Sequence, residues 1–80
     1  MSSELEVQNI VYFNEKFKEI VHNIVQNRKQ ANLTQDQLSK IINVDRRKII
    51  SLEAGRFDLI TLLKASDLLG IKIILSFEIE

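Results

Sequence analysis

Eighty residues allow one small domain, and without cysteine neither a disulfide nor a thiolate zinc site can reinforce it. The formal charge is zero, eleven cations against eleven acids, which argues against nucleic-acid binding until the distribution of those charges is read. No apolar run exceeds four residues, far short of the roughly 20 a membrane helix needs, and MSSELEVQNI lacks the charged-then-apolar pattern of a signal peptide, so a cytoplasmic protein is expected.

Along the chain, Leu5, Val7, Ile10, Val11, Tyr12 and Phe13 are apolar but follow neither the helical nor the strand period cleanly. This stretch, residues 1–14, is set apart as an N-terminal extension that extends the first helix, packs across its end or forms an arm. Asn14 is a candidate N-cap, with Glu15 and Glu19 near the positive end of the helix that follows. Phe17, Ile20, Val21, Ile24 and Val25 recur at i, i+3, i+4, i+7 and i+8, one buried helical stripe. The first helix is therefore expected over about 15–30.

Thr34 and Gln37 form a capping-box pattern for a second helix, with Leu38, Ile41 and Ile42 inward. Asn43 ends it, because Asn tolerates the left-handed conformation. Asp45 caps a third helix whose inward residues are Ile49 and Leu52, and Gly55 closes it. Asp58 caps a fourth, with Leu59, Leu62, Leu63, Leu68 and Leu69 mostly inward and Gly70 at its end.

The tail, residues 71–80, changes period. Ile71, Ile73, Leu75, Phe77 and Ile79 alternate with Lys72, Ile74, Ser76, Glu78 and Glu80, a strand signal. A lone strand leaves its backbone groups unpaired. Pairing with the same strand of a second copy resolves that, with Ile71, Ile73, Leu75 and Phe77 as the dimerisation residues. A chain this small buries only about 60% of its unfolded surface, so a dimer also supplies needed stability.

The neutral total charge hides a division. Between Arg28 and Arg56 there are seven cations and three acids, a balance of +4, and the remainder carries −4. The excess sits on the second and third helices, joined by a tight turn. The third opens with Arg46, Arg47 and Lys48, cations that oppose the helix dipole, so their placement points to an external anion. On a helical wheel Ile49, Leu52 and Glu53 share one side, while Arg47, Ile50, Ser51 and Ala54 fall opposite. Such a helix fits a DNA major groove. Arg46 and Arg47 are the candidate base readers, through bidentate bonds to guanine. Ile50 is placed for a thymine methyl and Ser51 for a base or phosphate. Gln35, at the start of the second helix, joins Lys48 and Arg56 as a candidate phosphate contact.

These residues resemble the helix-turn-helix of phage repressors and Cro proteins, the Xre type. The matches are Gln35, Leu38, the small Ser39, Val44, Ile49 and the ending Leu52-Glu53-Ala54-Gly55. The resemblance implies a buried structural salt bridge between Arg28, seven residues before Gln35, and Glu53. Two positions depart: Asn43 stands where the turn usually has Gly, and Ser39 where the helix usually has Ala. The sequence Leu69-Gly70-Ile71-Lys72-Ile73-Ile74-Leu75 replaces the fifth helix common in phage repressors. That is similar to HipB-type antitoxins, which implies paired C-terminal strands, operator binding as a dimer, and a HipA-like kinase toxin as partner.

No enzyme is expected. His22 has no second His or Cys for a metal, Glu15, Glu19 and Glu53 form no acid–base pair, and Gly55 and Gly70 make no phosphate loop. No cofactor is expected either. The sequence thus points to a mainly α fold: a four- to five-helix phage-repressor-like domain over 15–70 with a dimerising C-terminal β-strand. The expected function is a homodimeric, sequence-specific transcriptional repressor of a palindromic operator, as the antitoxin of a HipBA-like pair. The alternatives are a module that neutralises a partner toxin directly, and a stand-alone prophage or restriction-control repressor.

Overall fold

From Ser3 to Gln30 the chain contains neither Gly nor Pro, and in the computed structural model it forms one helix of 28 residues, α1. The structure describes the backbone of residues 3–74 and the side chains of residues 14–74. Three shorter helices follow: α2 (Gln35–Ile42), α3 (Arg46–Glu53) and α4 (Leu59–Leu68). Asn14 is therefore an exposed mid-helix residue and not a cap. A cap is worth about 1 kcal/mol, and nothing in the preceding residues breaks the helix it would have started.

The caps of the shorter helices fall where the sequence places them. Thr34 Oγ1 accepts from the Gln37 backbone at 3.0 Å, and Gln37 Oε1 accepts from the Thr34 N–H at 2.8 Å, a complete capping box. Asp45 Oδ1 accepts from the Arg47 N–H at 2.8 Å. Asp58 accepts from both the N–H and the hydroxyl of Thr61, at 3.1 and 2.8 Å.

All four helices end by one device. Asn32, Asn43, Gly55 and Gly70 take positive φ of 57, 58, 95 and 71°. The next residue's N–H then reaches back five positions: Leu33 to Arg28, Val44 to Ser39, Arg56 to Ser51 and Ile71 to Ser66, at 2.8–3.1 Å. This 6→1 bond satisfies carbonyls the helix leaves open and turns the chain sharply. Asn43 does so where only Val44 and Asp45 separate it from α3, which fixes α2 and α3 closely against each other.

Among the described residues the core is drawn from every helix: Phe17, Val21 and Ile24 of α1, Leu38 of α2, Ile49 and Leu52 of α3, and Leu62 and Ala65 of α4. Phe57, in the α3–α4 loop, lays its ring edge-on to Phe17 with centroids 5.5 Å apart. Two sequence expectations fail here. Ile41 is 55% exposed, leaving Leu38 and the small Ser39 as the buried residues of α2. In α4, Leu59, Leu63 and Leu68 are exposed, and Thr61, Leu62, Ala65 and Ser66 face inward with Leu69 packed alongside. Those residues sit at i, i+1, i+4, i+5 and i+8, an unbroken stripe. Small side chains let α4 approach closely, so position outweighs hydrophobicity.

Residues 71–74 form neither helix nor strand, and among the described residues there is no strand. Exposure nonetheless alternates there. Ile71 and Ile73 pack against the core, while Lys72 and Ile74 point outward. Leu75 and Phe77 lie outside the described residues.

Candidate nucleic-acid interface

The back of α3 is anchored by a buried polar cluster. Arg28 donates from Nε to Glu53 Oε2 at 2.7 Å and from Nη2 to Oε1 at 2.9 Å, a bidentate fork with both side chains about nine-tenths buried. Arg28 Nη1 reaches the Leu33 carbonyl at 2.8 Å, and Gln35 Nε2 donates to Glu53 Oε1 at 3.0 Å. One carboxylate thus gathers the end of α1, the start of α2 and the end of α3. The ion pair implied by the family resemblance is present. Gln35, expected to face phosphate, has one amide hydrogen committed to this cluster, and its position at the first turn of α2 leaves the helix's free backbone N–H groups beside it.

Opposite that anchor, Arg46, Arg47, Lys48 and Ile50 are exposed and Ser51 is half-buried. The face read from the helical wheel is therefore the outer face of α3. The structure brings Arg47, Lys48, Ser51 and Arg56 into one groove, together with Asp45 and Asp58. Arg46 and Ile50 are on α3 but not among its lining residues.

The two carboxylates in this groove were legible only as caps. Asp45 also receives the Arg47 side chain, Nε at 3.1 Å and Nη2 at 3.0 Å. That side-chain bond, and then the Arg47 backbone N–H, hold the Asp45 carboxyl at about 2, below its ordinary 3.8. The same contact pushes the Arg47 guanidinium up. Asp58 is lowered by the Thr61 N–H and hydroxyl. Both carboxylates are therefore ionised at neutral pH, and the groove combines three cations with two anions. The spacing Asp45-Arg46-Arg47 was the available signal, because an Arg two residues beyond an N-cap Asp can fold back on it.

The arrangement can fork a base edge with an Arg, neutralise flanking phosphates and reject a groove of the wrong charge pattern. Among the described residues no group of His, Cys, Asp or Glu is placed to hold a metal, and no helix is long and apolar enough to cross a membrane. Residues 24–75, from the middle of the α1 stripe to the start of the tail, match the family described as helix-turn-helix. No curated protein matches the chain.

Proposed function

The chain belongs to the helix-turn-helix family of Xre and phage-repressor type, a family of DNA-binding transcriptional regulators, and on that premise we propose a homodimeric repressor that reads a palindromic operator. The observation that carries this is α3 itself, whose exposed start bears three cations while its rear is clamped by the buried Arg28–Glu53 fork. Arg46 and Arg47 read bases, Ile50 and Ser51 add contacts to a thymine methyl and a base or phosphate, and Gln35, Lys48 and Arg56 hold phosphate. Two such helices enter successive major grooves about 34 Å apart, one helical turn of DNA.

The dimer is held by the tails, with Ile71, Ile73, Leu75 and Phe77 in the pairing segment. Leu63 of α4 lines a shallow hollow with Ile71 and Ile73, and Leu59 and Ile60 add exposed apolar area on the same helix. The segment after Gly70 does not begin a fifth helix over 71–74, which supports the HipB-type reading: an antitoxin that represses its own operon and pairs with a HipA-like kinase toxin. A second reading, direct capture of a toxin with DNA binding secondary, draws on the −4 balance outside residues 28–56 and on α1, whose backbone already runs helical from Ser3. Without a toxin, the same domain is a stand-alone prophage or restriction-control repressor.

Titration at fixed salt against a site selected from random duplexes tests the reading. Arg46→Ala and Arg47→Ala should each weaken the specific site by roughly five- to 150-fold. Wild-type affinity should fall steeply with added salt. Unchanged binding in both variants removes the base-reading role. Absence of any DNA binding, with tight capture of the neighbouring gene's product, favours the second reading.

A further inference from the structure

Asp45 does more than start a helix. Besides capping α3, it meets the Arg47 guanidinium side-on, with one oxygen toward Nε and the other toward Nη2. A guanidinium has five N–H groups in a rigid plane. The side-on contact occupies two and leaves the end edge, between Nη1 and Nη2, with a parallel pair of donors. That pair is spaced to fork guanine O6 and N7. The Arg47 side chain is 88% exposed, so few protein atoms other than the Asp45 carboxylate restrain a long side chain with many rotamers.

We propose that Asp45 is a positioning residue for base recognition, holding the Arg47 guanidinium by one edge so that the other meets guanine in the major groove. The inference rests on the DNA-binding reading and adds the device that makes one base contact selective. The opposite role is that Asp45 masks Arg47 and must be displaced by DNA. The two differ in sign. A buttress sharpens discrimination at one base pair, whereas a mask weakens binding to every sequence alike. An exposed ion pair contributes little to folding, so its effect belongs to recognition and not to stability.

The experiment uses the full chain and an operator selected by the wild-type protein from random duplexes. Affinities are measured at fixed salt for that operator and for versions with each base pair changed. Asp45→Ser keeps an N-cap oxygen and removes the carboxylate fork. Asp45→Asn keeps the cap and one acceptor, and gives a second variant should the first fold poorly. Wild type should prefer guanine at one position by on the order of tenfold or more. Asp45→Ser should erase most of that preference, with the thermal midpoint little changed and other positions still discriminated. In the Arg47→Ala background, Asp45→Ser should have no further effect on specificity. Preference retained or sharpened in Asp45→Ser overturns the inference while leaving DNA binding intact. So does an equal loss with Arg47 absent. Failure of the wild-type chain to enrich any site overturns the DNA-binding reading, and this inference with it.

Discussion

Replacing Glu53 by Gln tests how α3 is held. The substitution keeps the size of the side chain and exchanges one acceptor oxygen for a donor. In the native cluster, three hydrogen bonds end on Glu53: Arg28 Nε at 2.7 Å, Arg28 Nη2 at 2.9 Å and Gln35 Nε2 at 3.0 Å. A single amide oxygen cannot replace them, and the amide N–H groups point at other donors. Arg28, only 8% exposed, is left a buried cation without a counterion. Breaking one side of such a pair costs about 3–5 kcal/mol. Total stability for a domain of this size is about 4–12 kcal/mol. Urea unfolding followed by circular dichroism, at fixed protein concentration, should therefore show the midpoint falling by roughly 1.5–5 M at an m-value near 1–2 kcal/mol/M. The paired change Arg28→Met with Glu53→Met should recover much of the loss, because two apolar side chains need no counterion. A single variant within about 1 kcal/mol of wild type would refute the reasoning, since that is the worth of an exposed pair.

Three further outcomes are expected. Because Asp58 titrates lower in the folded chain than its ordinary 3.8, its contribution is complete above about pH 4 and is lost as pH falls below that value. The thermal midpoint should drop across that window in wild type and less in Asp58→Ser; equal slopes contradict the assignment. Among the described residues the buried Ser66 hydroxyl has no hydrogen-bond partner, so Ser66→Ala should raise stability by about 1 kcal/mol, and a loss in calorimetry contradicts this. Ile74 is 77% exposed and Pro there spares the core, so if the proposed tail-paired dimer forms, Ile74→Pro should shift it toward monomer by removing a ladder donor. A variant still dimeric in sedimentation argues that helices carry the interface.

What the sequence made legible was what short-range chemistry fixes. Thr34, Asp45 and Asp58 cap where they stand because a side-chain oxygen meets an N–H two or three residues on. Asn43 turns the chain because few side chains accept positive φ. The outer face of α3 followed from a helical wheel, and the Arg28–Glu53 fork from the family resemblance. The rest depended on neighbours. Nothing near Asn14 says whether a helix starts there or passes through. The exposed leucines of α4 mislead because burial follows the side of the helix that meets α2 and α3, and that side carries Thr61, Ala65 and Ser66. Sequence gives Gln35 and Asp45 one role each, but each has a partner visible only in three dimensions.

The carboxylate of Glu53 also carries a kinetic consequence. Its partners arrive from residues 28 and 35, on separate helices, so the network closes only after α1, α2 and α3 have docked. A transition state resting on the local α2–α3 turn would lack this contact, and interactions absent there slow unfolding while leaving folding speed nearly unchanged. In a chevron plot, Glu53→Gln should then steepen escape from the native state through the unfolding limb alone, whereas equal movement of the folding limb would place the cluster in the nucleus. The pair behind α3 is then a latch: it sets how long the folded domain keeps its shape more than how quickly that shape is found.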